Sequence, residues 1–267
     1  MIAPHVRARR LLGRVARKAV QRVVGEARYR REVLPGRAPL RDLTRYEMRV
    51  WSQHGEDGIL RAIFARVGHG GRYYVEFGVE DGRQCNTRYL REAHGWSGLL
   101  MDGGHADARI NLHREFITAE NIRDLFVRHG VPAEPDLLSI DIDGNDYYVW
   151  RALAPHYRPR VVVMEYNAAR GPTASVSIAY DPEFRWAGTD YVGASLQALV
   201  GVAEAYGYTL VACDSAGVNA FFVRDDLVPG RFEPPPVSAL YRPPRFWSHA
   251  SPTPGHPPDP ARRMVSV

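Results

Sequence analysis

The sequence predicts an α/β fold: a seven-stranded, mostly parallel sheet with one antiparallel strand and helices on both faces. Two observations predict it. Apolar runs of strand length alternate with helical segments through the middle of the chain, and such alternation implies a parallel sheet covered on both sides. The last two runs are joined by only SAGV (215–218), too short a link for anything but an antiparallel hairpin.

In chain order, apolar positions at three- and four-residue spacing among arginines, from Val6 to about Val33, predict an amphipathic basic helix. It is expected to lie on the domain or on the partner of a homodimer; the alternative is an anchor to a membrane surface or an anionic partner. Helical segments follow at 56–67, 87–95, 120–129, 146–154 and 194–206. The runs between and after them read as strands: RYYVEFG (72–78), SGLLMD (97–102), REFITA (114–119), PDLLSIDI (135–142), RVVVMEY (160–166), YTLVACD (208–214) and NAFFVR (219–224). Five βα units and a hairpin make a Rossmann-like sheet, whose ligands sit at the carboxyl ends of the strands. Residues 168–194 form a long connection of the kind that serves as a lid or binding loop, in which Trp186 and Tyr191 are candidates to stack on a ring or to pack the loop down. The tail, 229–267, holds 11 of the 20 prolines. It is expected to form no regular structure, with 251–263 disordered and Phe232, Tyr241, Phe246 and Trp247 pinning its first half to the domain.

The organisation is therefore a basic arm (1–49), one domain (50–228) and a Pro-rich tail (229–267), with a core of ordinary size for roughly 100–250 residues. The net charge of +5 is unevenly spread: residues 1–49 hold 14 Lys/Arg against 4 Asp/Glu, leaving 21 basic and 26 acidic residues beyond. The body is acidic, so no nucleic-acid partner is expected. Two cysteines are too few for a disulfide framework and no Cys/His cluster has zinc spacing. With no secretory signal pattern and no 18-residue apolar run, a cytoplasmic protein is expected.

Polar residues gather just past each strand: Glu76, Gly78 and Gly82 after the first, Asp102 after the second, Glu120 and Asn121 after the third, Asp141, Asp143, Asn145 and Asp146 after the fourth, Glu165 and Asn167 after the fifth. Gly78 and Gly82 let backbone approach a ligand closely. A pyrophosphate would be badly placed beside Glu76, Glu80 and Asp81, and neither G-x-G-x-x-G nor a P-loop is present. Asp102, 26 residues after Glu76, is placed to accept the hydroxyls of a ribose. S-adenosylmethionine, with a sulfonium, an ammonium and a ribose, satisfies these constraints.

VEFGVEDG followed by CNT (75–87), GWSGLLMD (95–102), SIDIDGND (139–146) and MEYN (164–167), with SQHGEDGIL (52–60) ahead of them, resemble the class I S-adenosylmethionine-dependent methyltransferases of the FkbM type. The resemblance covers roughly 50–225. Cys85 stands where such proteins usually have Ser, and Asp102 where many have Glu. It implies a cofactor loop of Glu76, Gly78 and Gly82, with Asn86 and Thr87 capping the next helix beside the cofactor, although a plain N-cap role is an equal alternative for Asn86. It further implies Asp102 on the ribose, Glu120 and Asn121 toward the adenine, with a first-turn acid complementing the helix dipole as the favoured alternative for Glu120, and Asp141 at the methionine portion or reacting centre. Asp141, Asp143, Glu165 and Asn167 resemble the oxygen ligands of magnesium-dependent O-methyltransferases; the alternative is that strand-end acids merely cap the next helix. Without a metal, the base would be Asp141, Glu165 or His54. The expected activity is O-methylation of a hydroxyl on a carbohydrate or glycosylated small molecule. N- or carboxyl-methylation of a peptide or metabolite, and a non-catalytic interaction module, are the alternatives.

Overall fold

Successive side chains of a strand point to opposite faces, and in this chain both faces are covered. The computed structural model describes residues 23–24, 26–34, 36, 38–246 and 254–267. Its main sheet comprises β1 (Tyr73–Phe77), β2 (Ser97–Asp102), β3 (Leu112–Arg114), β4 (Leu137–Ile140), β5 (Val161–Glu165), β7 (Tyr208–Cys213) and β8 (Asn219–Arg224). The order is β3-β2-β1-β4-β5-β8-β7. All neighbours are parallel except that β8 runs against both β5 and β7, the single reversed strand expected from the SAGV hairpin.

Val75, Phe77, Leu99, Met101, Val162 and Met164 pack toward α3 (Ile122–Arg128), α4 (Asp146–Leu153) and α5 (Leu196–Tyr206). The intervening Tyr74, Leu100, Val161 and Val163 pack toward α1 (Glu56–Val67) and α2 (Arg88–His94). α1 earns its place through Ile59, Leu60, Ile63, Phe64 and Val67, all buried at helical spacing. The helix α5 is closed at its start by the Ser195 hydroxyl, which accepts the Ala198 N–H at 3.3 Å. Chain order reverses between β1 and β4, and a crevice opens where the loops leaving them diverge.

Two expectations are corrected. The third strand is not 114–119 but Leu112–Arg114, paired through Leu100↔Leu112. REFITA is the more apolar run, yet Phe116 is exposed and Ile117 buried, because both wall a cavity instead of extending an edge. The tail also carries regular structure: α6 (Val237–Leu240), and β9 (Val265–Ser266) paired antiparallel with β6 (Val176–Ser177). Proline removes a backbone donor but not an acceptor, and the Pro257 carbonyl accepts the Asp190 N–H at 2.8 Å. Residues 254–263 are thus ordered against the 168–194 connection; 251–253, and Trp247 among the expected pinning aromatics, fall outside the described residues.

The expected arm helix lies outside the described residues as far as Arg22; at its end Tyr29–Val33 forms a π-helical turn. Among the described residues no helix is long and apolar enough to cross a membrane. Cys85 and Cys213 are free and buried.

Candidate active site

The loop after β1 is organised from within. Glu76 is buried and its carboxylate accepts the N–H of Asn86 (2.7 Å), the N–H of Thr87 (2.9 Å) and the hydroxyl of Thr87 (2.6 Å). Burial pushes its pKa up, against the pull of these donors. Asn86 donates its carboxamide N–H to the Ser139 hydroxyl at 3.1 Å, and neither Asn86 nor Thr87 caps α2 with its side chain. The capping expected of them is therefore replaced by a clamp that fastens residues 86–87 to β1 and β4. Gly78 and Gly82 have φ of +72° and +71°. A Cβ on Gly78 would lie 1.4 Å from the Asp141 carbonyl oxygen, and one on Gly82 2.7 Å from the Ile110 side chain. Their first requirement is this crossing of backbones.

Asp102 ends β2. Its Oδ1 accepts the N–H groups of Gly104 (2.8 Å) and His105 (3.0 Å) and lies 2.9 Å from His105 Nδ1, while Oδ2 accepts, among the described residues, only the Glu80 N–H (2.8 Å). Oδ2 keeps room for a further donor. Asp102 faces a cavity of about 310 Å³ with Phe116, Ile117 and Arg185. Asn121 does not join it: its carboxamide accepts the Thr118 N–H (2.9 Å) and donates to the Phe116 carbonyl (2.7 Å), closing the loop before α3.

A second cavity of about 430 Å³ lies over β1, β4 and β5, lined by His54, Glu76, Asn86, Asp141, Asp143 and Glu165 among others. Gly78, Glu80, Asp141, Asp143 and Trp186 border both cavities, so the two meet at the switch point of the sheet. Asp146, fully buried, accepts the N–H groups of Ile142 (2.8 Å) and Gly144 (2.9 Å) and shapes the loop that presents Asp141 and Asp143. Asp143 itself has φ +57°, a left-handed conformation that Asp tolerates better than most residues.

Asp141, Asp143 and Glu165 each offer a carboxylate oxygen within 4.8 Å of the others. Burial, then the neighbouring acids, holds Asp141 and Glu165 well above the usual carboxylate range. Asp143 is pushed up to about 6, again by burial first. Three hard oxygen donors crowded without a basic partner fit a divalent cation that would offset their repulsion. Asn167 is not among them. Its amide N–H groups donate to the carbonyls of Asp190 (2.8 Å) and Val192 (2.9 Å), and its oxygen accepts the Ala169 N–H (3.2 Å), so the expected fourth ligand is spent on the long connection.

His54 is half-buried on the wall of the larger cavity, and burial lowers its pKa, which keeps the ring neutral near pH 7. The SQHGED stretch that carries it is tied down by acids: Glu56 accepts the N–H groups of His54 and Gly55 and the Asn219 carboxamide, and Asp57 those of Val50, Trp51 and Ser52. Trp186 reaches both cavities, whereas Tyr191 packs, its hydroxyl accepting the Ala179 N–H at 3.0 Å. Phe246 and His256 also line the larger cavity. Sequence reasoning did not assign them to the site; one aromatic and one histidine in a Pro-rich tail are their only signal.

Behind this wall Asp214 holds the β7–β8 turn, accepting the N–H groups of Val218 (3.2 Å) and Asn219 (2.7 Å). Burial, followed by Glu56, pushes its pKa up to about 7. A raised acid binds a proton in the folded state that the unfolded chain has released, so stability falls as pH rises from the ordinary Asp value through about 7. Thermal unfolding of wild type and Asp214→Asn at pH 5 and pH 8 should therefore show a smaller loss of midpoint over that interval in the variant. Equal losses would remove Asp214 as the cause.

Fold and site together define a Rossmann-like α/β protein with an acidic, two-chambered cleft at the switch point of its sheet. No protein-family model matches the chain, and no curated protein matches it either.

Proposed function

We propose that the chain is an S-adenosylmethionine-dependent methyltransferase acting on a hydroxyl of a carbohydrate or glycosylated small molecule. The observation that carries this reading is the meeting of the two cavities at Gly78, Asp141 and Asp143. The smaller chamber suits a nucleoside, with Phe116 and Ile117 as apolar walls for the adenine and the open side of Asp102 Oδ2 for a ribose hydroxyl. The larger chamber is lined by carboxylates, with no Lys or Arg among its described residues, which favours a sulfonium and an ammonium over any phosphate. The methyl group would then lie at the junction, facing the free space of the larger chamber.

Asp141, Asp143 and Glu165 would hold Mg²⁺. Bound there, the ion would supply positive charge that acidifies an acceptor hydroxyl. The transfer itself breaks the sulfonium carbon–sulfur bond and forms a carbon–oxygen bond, giving S-adenosylhomocysteine and a methyl ether. It needs the acceptor oxygen held about 3 Å from the methyl carbon and its proton taken up. His54, neutral and on the wall of the same chamber, takes that proton on an unprotonated ring nitrogen.

Calorimetry with S-adenosylmethionine and S-adenosylhomocysteine, with Mg²⁺ and after chelation, tests the reading; no binding to either compound would sink it. Asp102→Ala is expected to weaken binding by about 1.5–3 kcal/mol, the loss of a charged hydrogen-bonding group. An unchanged affinity would overturn the ribose assignment.

A further inference from the structure

Three side chains from two segments far apart in sequence, Trp186 on the long connection and Phe246 and His256 in the tail, line the larger chamber together. The His256 ring stands edge-on to the Trp186 ring at 4.6 Å between centroids and tilted to Phe246 at 5.0 Å. Trp186 has its polar end satisfied, Nε1 donating to the Thr189 carbonyl at 2.7 Å. The rest of the indole remains as apolar wall. We propose that the C-terminal segment 254–267 completes the acceptor subsite of this methyltransferase, placing His256 beside Trp186 and Phe246 to select a neutral, polyhydroxylated ring. The inference rests on the methyltransferase reading and names the acceptor class within it.

The segment is built into the wall. Besides the bond from the Asp190 N–H to the Pro257 carbonyl, the Asp259 N–H donates to Asp190 Oδ1 at 2.7 Å, and the Thr189 hydroxyl donates to Asp259 Oδ2 at 3.0 Å. Asp259 also accepts the Arg262 N–H at 2.8 Å and pairs with its guanidinium, which lies 4.5 Å above the Tyr191 ring. The β6–β9 pairing and a bond from the Ser175 hydroxyl to the Val267 carbonyl (2.7 Å) secure the far end. Residues 189–191 and 254–267 therefore form one wall, and loosening the second displaces His256.

Packing alone leaves two features of this wall without a use. His256 Nδ1 is buried and finds no hydrogen-bond partner among the described residues, which leaves it to a water or a ligand to satisfy the atom. The ring also borders a smaller cavity of about 20 Å³ beside Glu165 and Phe246, so it stands next to the acidic cluster.

The chemistry of the lining selects among acceptors. Glu56, Glu76, Glu80, Asp141, Asp143 and Glu165 face the chamber with no described Lys or Arg to balance them. A phosphorylated or carboxylated sugar would meet like charge on those acids that the cation does not offset. A neutral ring instead offers hydroxyl donors to carboxylate acceptors and apolar C–H faces to Trp186 and Phe246, the usual division of labour in a pocket that binds a small polar molecule.

The test uses the full chain with labelled S-adenosylmethionine, a panel of neutral methyl glycosides, and glucose 6-phosphate as the charged comparison. Wild type is expected to label neutral glycosides in preference to the phosphate ester. His256→Ala, and Asp259→Ala acting on the anchor, should each raise the glycoside KM by about tenfold or more while the calorimetric dissociation constant for S-adenosylhomocysteine stays within about twofold. Unchanged KM and kcat in both variants would overturn the inference, as would a loss of S-adenosylhomocysteine affinity in step with activity, or preference for glucose 6-phosphate. Wild type that binds S-adenosylhomocysteine but labels no glycoside overturns this inference and the carbohydrate acceptor with it, and leaves the methyl donor standing. Wild type that binds none overturns the methyltransferase reading and the inference with it.

Discussion

Glu165→Gln should lower the rate of methyl transfer by about 100-fold or more, the scale on which removing one electrostatic or acid–base group from a reacting centre acts, while leaving the fold at least as stable as wild type. The two halves of this expectation have one cause. Glu165 is half-buried and brings a carboxylate oxygen within 4.8 Å of those of Asp141 and Asp143. Burial and mutual repulsion raise the pKa of Glu165 and Asp141 far above that of a solvated carboxylate, so ionising this cluster costs the folded state free energy. Glutamine has the same shape, can donate a hydrogen bond to Asp141, and cannot ionise. The variant therefore loses a cation ligand together with a group whose ionisation the fold penalises. Thermal unfolding separates these effects: Mg²⁺ should raise the wild-type midpoint, because a ligand that binds only the native state stabilises it, and raise that of the variant less. Methyl transfer at the wild-type rate in the variant would remove Glu165 from the reacting centre. An equal Mg²⁺ response in both proteins would remove it from the cation site.

The sheet was readable because β1, β2, β4, β5, β7 and β8 are each apolar runs bounded by polar turns, and because a four-residue link admits only a hairpin. β3 was misread for a physical reason. An edge strand needs only one or two buried positions, and LHR supplies one, whereas the more apolar REFITA donates Phe116 and Ile117 to a cavity. The convergence of Asp141, Asp143 and Glu165 was readable because adjacent parallel strands end at one edge. The commitments of Glu76, Asn121 and Asn167 were not. Each spends its oxygen on backbone N–H groups, and which N–H groups those are depends on how a loop folds back, as when Glu76 meets residues 86 and 87. The tail was hidden for a related reason: proline content argues against ladders, and the tail binds through scattered backbone N–H and carbonyl groups, the Asp259 carboxylate and one stacked arginine.

Gly78→Ala is expected to be the most destabilising single substitution argued here, at more than about 4 kcal/mol, the range reserved for overpacking and backbone conflict at a buried site. Two costs combine. At φ +72° an L side chain costs roughly 1–2 kcal/mol, and the new Cβ would stand 1.4 Å from the Asp141 carbonyl oxygen, a backbone atom that no rotamer change can move. Gly95→Ala separates them, since Gly95 is left-handed at φ +66° and ψ +30° with nothing within 4 Å of its Cβ position; it should carry the conformational cost alone. Urea unfolding of the two variants measures the difference, and equal midpoints would show that the β1 and β4 ends do not cross as closely as described. The crossing matters beyond stability. Bringing the Gly78 backbone against Asp141 draws the ends of β1 and β4 together at the switch point, and that contact sets the junction of the two chambers and the position of the first acid in the cluster. The glycine that the sequence marks as a place for close approach to a ligand is required first for close approach to Asp141. A donor molecule lying across the junction would rest on the backbone that this glycine makes possible.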